Sequence, residues 1–173
     1  MARVLRLLPV LCALLSLAAN AQLFGKREDP DKPWIEAELK LPPYPKPGTL
    51  IEFEAGGASR NRFYIDAESI SIGSDGVVRY TLVVKGAGGG ENISYEGMRC
   101  ETREQKYYAF GRRDGTWSNA RSGEWRRIEY KDVNRQHGVL YADYFCPDRK
   151  LPVKSPQDAV NRLRYGVPPR SGM

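Results

Sequence analysis

The sequence predicts an α+β fold: a mainly antiparallel β-sheet domain with one disulfide and a short C-terminal helix. Three observations predict it. Short runs of β-branched and aromatic residues, alternating with period two, recur between Gly-rich turns from residue 49 onward. Two cysteines, Cys100 and Cys146, remain once an N-terminal leader is set aside. One well-capped helical pattern, "SPQDAVNRLRYG", lies near the end of the chain.

Residues 1–21 read as a secretory signal peptide. "MARVLR" supplies Arg3 and Arg6, "LLPVLCALLSLAA" is a short apolar run, and Ala19 and Ala21 mark a small-residue cleavage site before Gln22. The run is too short to span a bilayer, which takes ~20 residues. Cys12 sits inside it behind bulky Leu11, which argues against lipid attachment. No second long apolar stretch follows, so the mature chain is expected to carry no transmembrane segment. The leader holds two of the 27 basic residues and none of the 21 acidic ones, leaving a mildly basic mature chain. Its charges are too scattered to argue for nucleic acid.

Export into an oxidising space, with an even cysteine count, predicts a Cys100–Cys146 disulfide. Neither cysteine has a second thiol at redox or metal-binding spacing. Closing a loop of this length contributes ~4 kcal/mol in the chain-entropy account.

Residues 22–48 predict an extended, proline-rich arm. "REDPDKPWIEAELKLPPYPKPG" contains six prolines among alternating charges. Proline removes backbone donors and fixes φ, so only "WIEAEL" could pair as a strand, and "LPPYPKPG" favours polyproline II. The arm is expected to lie over the domain with Trp34 as an anchor. The alternative is a ligand for a proline-reading module.

The single domain is expected over 49–166, with a disordered tail at 167–173. "TLIEFEA" sets Ile51, Phe53 and Ala55 on one face. "RFYIDAESISI" is a strand interrupted at Asp66–Glu68, and "GSDG" is a hairpin turn. In "VVRYTLVVK", Val78, Tyr80, Leu82 and Val84 share one side. "GAGGGE" is a loop. "NISYEGMRC" is a strand with Gly97 at a bulge or close approach. "KYYAFGR", the turn "RRDGTW" and a short "GEWRRIEY" strand follow. "HGVLYADYFCP" fits helix or strand, and the Leu140/Tyr144 and Tyr141/Phe145 spacings favour a short helix. In the tail pattern Ser155 is the N-cap, Pro156 the first helical residue, Asp158 the capping-box acid and Gly166 the terminator, with Val160 and Leu163 as the apolar stripe.

Chemistry-bearing motifs are sparse. "KGAGGGE" is followed by Glu91 and a strand, so it is a hairpin connection and not a phosphate loop. His137 is the lone histidine, with no nucleophile elbow among the serines, and a surface or packing role is expected. No metal site and no cofactor are expected. The pairs Asp66/Glu68 and Glu101/Glu104 leave open a hydrolase reading that uses Asp66, Glu68, Glu101 or Asp143. The arginine–aromatic mixture is the best binding candidate: Arg112, Arg113, Arg126 and Arg127 with Tyr108, Trp117 and Trp125. Arginine forks suit carboxylate or phosphate, and aromatic faces suit stacking. Arg121, Tyr107 and Phe110 belong to the same stretch. The structural alternative is that the aromatics pack a core and the arginines keep an edge soluble.

The segments "RFYIDAESISIGSDGVVRYTLVVKG", "ISYEGMRCETREQKYYAFGRRDGTW", "EWRRI" and "DYFCP" resemble the bacterial CNP1-like family, over roughly Trp34 to Pro147. The specific feature is the combination "YEGxRC…GRxDGxW…DYFC". The resemblance implies a bacterial envelope protein of the periplasm, and its paired cysteines match Cys100 and Cys146. It carries over no activity and no catalytic residue. The expectation is an exported, non-enzymatic domain that binds or supports an envelope component. The alternatives are a cell-wall or glycan hydrolase and a binder of anionic polymer, so the partner is an envelope protein or an anionic ligand.

Overall fold

A computed structural model describes residues 33–57, 59–129 and 135–166. The leader and the C-terminal tail predicted above lie outside these residues, as does the first part of the arm. The chain falls into two compact units, Met1–Trp34 and Ile35–Met173. Only Pro33 and Trp34 of the first are described, and every element below belongs to the second.

Seven strands form one antiparallel sheet: β1 (Leu50–Phe53), β2 (Arg62–Ile72), β3 (Val77–Lys85), β4 (Glu91–Arg99), β5 (Glu104–Gly111), β6 (Trp117–Asn119) and β7 (Arg126–Arg127). The spatial order β1 to β6 follows the chain, and β7 pairs with the start of β5. "GSDG", "GAGGGE" and "RRDGTW" turn the chain, with Gly76, Gly89 and Gly115 at positive φ where a side chain would be strained. The "GEWRRIEY" strand is shorter than its pattern suggests, reduced to the Arg126–Arg127 pair. "WIEAEL" forms no strand.

β3 is the centre of the sheet and is covered on both faces. Val78, Tyr80 and Leu82 point to one side and join Phe53, Phe63, Ile65 and Met98 in the main core. That core is closed by helical segments: α1 (Arg135–Val139) runs directly into a π-helical turn (Leu140–Phe145), and α2 (Pro156–Tyr165) follows. The ambiguous "HGVLYADYFCP" run is therefore helical, and it buries Leu140, Tyr141 and Phe145. Cys146 ends this run and is bonded to Cys100 at the end of β4. α2 begins as expected: the Ser155 hydroxyl accepts from the Asp158 amide at 3.1 Å. Asp158 returns its carboxylate to the Lys154 amide and not to the Ser155 amide, a one-residue shift from a capping box. Ala159, Val160 and Leu163 face the core.

Two irregularities decide which side chains share a face. In β2 the register shifts between Asp66 and Ser71. The Ser69 hydroxyl repairs the gap, accepting from the Thr81 amide at 2.8 Å and donating to the Asp66 carbonyl. A second shift between Tyr95 and Glu96 leaves Tyr107 opposite Glu96 and Ala109 opposite Tyr95. Tyr108 then turns to the side opposite Tyr107, over Gly97. A Cβ on Gly97 would sit 2.5 Å from the Tyr108 hydroxyl, so the expected close approach is real.

Candidate functional site

On the helical side, the ends of β2, β4 and β5 meet α1 around a cleft of about 630 Å3. Phe63, Leu82, Val84, Tyr107 and Phe110 form its apolar walls. Asn61, Asn92, Ser94, Arg135 and Gln136 bring polar groups to it. Alternation along β4 aims Ser94, Glu96 and Met98 to this side, while Asn92 follows the same parity at the strand's start. Arg135 lies across Gly56 and Gly57, its guanidinium carbon 3.4 Å from where a Cβ on Gly57 would stand. Both glycines have positive φ.

Glu96 lies at the base of the cleft with no exposed surface. One carboxylate oxygen accepts from the Ser94 hydroxyl at 2.5 Å. The other accepts from the Tyr80 hydroxyl at 3.0 Å and lies 2.8 Å from His137 Nε2. Tyr107 packs edge-on to the imidazole. A buried carboxyl group is costly unless its oxygens are engaged, and here two hydroxyl donors and the His137 ring nitrogen converge on it. Burial, with Glu96 beside it, pushes the Tyr80 hydroxyl far above its ordinary range, so Tyr80 remains a donor. Burial and Glu96 also raise Tyr107. His137 is thus a packing histidine with a specific partner. Its position was visible in the sequence, but the partner was not.

On the opposite side, the arm crosses the sheet. Glu36 accepts from Lys106 Nζ at 2.8 Å and from the Tyr108 hydroxyl at 2.6 Å, with Arg79 3.8 Å away. The Ala37 amide donates to Asp75 at 2.8 Å, and Asp75 holds Arg79 through two contacts of 2.6 and 3.1 Å. Further along, Trp117 Nε1 donates to the Pro42 carbonyl at 3.0 Å, and Tyr44 packs on the Trp117 ring and donates to the Arg112 carbonyl at 2.7 Å. Burial pushes the Glu36 carboxyl up. The hydrogen bonds from Lys106 and Tyr108 and the charges of Lys106 and Arg79 outweigh it and hold it below the usual range. Asp75 is likewise raised by burial and lowered further by Arg79 and by the Ala37 and Val77 amides.

The sequence-predicted binding residues separate on this frame. Tyr108, Trp117 and Trp125 share the arm side, where Tyr108 and Trp117 already hold the arm and Trp125 stands edge-on to Tyr108. Arg112 and Arg113 lie exposed at the β5–β6 turn, while Arg126 and Arg127 pair with Gln105 and Glu104 at the other end of β5. Tyr107 and Phe110 are on the helical side, stacked at 5.3 Å. The four acids of the hydrolase reading do not line the cleft. Asp66 is buried in the β2 irregularity, whereas Glu68, Glu101 and Asp143 are exposed elsewhere. Among the described residues there is no group of three or more His, Cys, Asp or Glu side chains placed to hold a metal ion. No helix among them is long and apolar enough to cross a membrane.

The sequence pattern of the CNP1-like family matches residues 29–164. The chain belongs to the CNP1-like family. No curated protein and no solved structure matches it. The CNP1-like region takes in both features above, from Glu36 of the arm to the last turn of α2. Sequence reasoning passed over Glu96, Glu36 and the Arg79–Asp75 pair. A signal existed for Glu96: a lone acid on a strand side shared with Met98, at a position where alternation predicts burial.

Proposed function

We propose that this CNP1-like protein is an exported periplasmic domain, released by cleavage near Ala21, that binds an envelope component without transforming it. Its binding site is the cleft above Glu96. The leader pattern supports export, and the Cys100–Cys146 bond suits an oxidising compartment. The observation that carries the reading is the cleft itself: a concave site with apolar walls and a few convergent polar side chains, which is the usual form of a ligand site. Binding is favoured over hydrolysis because, among the described residues, Glu96 is the only carboxylate in the lining, and its oxygens are engaged by Tyr80, Ser94 and His137. Cleavage by paired acids needs a second carboxyl across the groove.

The test is site-specific photo-crosslinking in cells. A photoreactive residue replacing Asn92 or Phe110, at the cleft, should capture an envelope component. One replacing Tyr165, exposed on α2, should not. Equal capture from all three positions, or none from the cleft, removes this reading.

A further inference from the structure

The arm is held in a way that ordinary chain connectivity does not require. Between Ile35 and Lys46 it forms no helix or strand. It is gripped by side chains at defined points: a carboxylate between an ammonium and a phenol at Glu36, an amide on Asp75 at Ala37, an indole N–H on the carbonyl of Pro42, and a ring on Trp117 at Tyr44. An extended, proline-containing segment lying on aromatic side chains, with an indole donating to one of its carbonyls, is how proteins read polyproline-type peptides.

We propose that the sheet side formed by Arg79, Lys106, Tyr108 and Trp117 is a peptide-docking groove. It recognises an extended segment of another envelope protein that carries a carboxylate and, about six residues later, a proline followed by an aromatic residue. The chain's own arm is the resident occupant. Charge argues for this partner: the half-buried Lys106 and the buried Arg79 converge on the one place where the arm presents an acid. The spacing is set by the arm itself, from Glu36 to Pro42 and Tyr44. A tethered arm competes at an effective concentration in the millimolar range. The groove is therefore closed to weak ligands and opens only to a segment that fits better or to a chain whose arm is drawn away. This surface lies on the other side of the sheet from the cleft, so the peptide titration tests it independently of the cleft; only the partner's place in the envelope rests on the reading above.

The probe is a fluorescein-labelled synthetic peptide, IEAELKLPPYP, copying residues 35–45, titrated into the full mature chain. The parent should bind it weakly. Glu36→Ala in the chain, which loosens the resident arm, should tighten binding at least tenfold. Adding Lys106→Ala, or Tyr108→Phe where the alanine variant does not fold, should reverse that gain. A peptide with glutamine in place of its first glutamate should bind the Glu36→Ala chain at least fivefold more weakly. Equal binding to parent and Glu36→Ala chains, or no binding to either, overturns the proposal. So does a parent dimer that Lys106→Ala dissolves while no chain binds peptide, since the groove would then serve exchange of arms between copies.

Discussion

His137 Nε2 lies 2.8 Å from Glu96 Oε2, and neither side chain has more than 2 % of its surface exposed. The two residues come from α1 and β4, forty-one positions apart, and they fix the helical cap to the floor of the cleft. Removing His137 leaves Glu96 buried with one partner fewer, held by Tyr80 and Ser94. That costs more than the pair's net contribution. His137→Ala should therefore destabilise the protein by roughly 2–4 kcal/mol, lowering the melting temperature by about 5–15 °C. Glu96→Gln keeps the shape and should cost less. Thermal denaturation of both variants checks the order, and a histidine variant that melts with the parent would show the contact to be idle.

Gly97→Ala should loosen the arm through Tyr108. The new methyl would stand 2.5–2.9 Å from the Tyr108 ring and hydroxyl, closer than real contacts allow. Tyr108 must move, and it carries one of the two hydrogen bonds that hold Glu36. Overpacking of this kind costs roughly 1–3 kcal/mol. Trypsin should also cut faster after exposed Lys40, a readout that simple loss of core packing does not predict without global unfolding.

Acid should release the arm before it unfolds the domain. Glu36 and Asp75 are both held below their ordinary values of 4.5 and 3.8. A carboxyl depressed in the folded state stabilises it fully above the unfolded value, and that contribution is lost as pH falls through the folded one. Arm docking should be constant from pH 8 down to about 5 and weaken below about 4. Hydrogen exchange of the Ala37 amide, which donates to Asp75, reads this directly once corrected for intrinsic rate. Loss of protection above pH 6 would contradict the assignment.

Replacing Cys100 and Cys146 together by serine should cost ~4 kcal/mol, the loop-closure entropy of a 46-residue separation. Ser155→Ala should cost only ~1 kcal/mol, through loss of the α2 cap. Denaturant titration separates the two, and the cysteine variant should show the larger fall in midpoint.

Much of the sheet was legible in the sequence because its signals are local. Period-two alternation and glycine turns placed β1 to β5, and the side assignment of β3 follows directly from Val78, Tyr80, Leu82 and Val84. The α2 helix was legible for the same reason, since its cap, first proline and terminator are neighbours in the chain. The candidate sites were not. The arginine–aromatic stretch splits between two sides: Tyr107 and Tyr108 alternate as in any strand, but the register shift beside Glu96 puts Ala109 with Tyr108 and Phe110 with Tyr107, and nothing in "KYYAF" announces that bulge. The partners of Glu36 lie about seventy residues away, and those of Glu96 include one forty-one residues away. Pairings at such distances depend on the finished topology, which no short window of sequence contains.

The strictly sequential meander also has a bearing on how the molecule comes into being. A chain that appears amino end first, from a ribosome or a translocation pore, can zip each new strand onto the one before it, from β1 to β6. The lid over the main core comes from residues 135–166 and is delivered last. Until then Phe53, Ile65, Tyr80 and Leu82 form a naked oily surface on an otherwise finished sheet. The newborn protein is most vulnerable to clumping in that interval, when a holdase has something to hold.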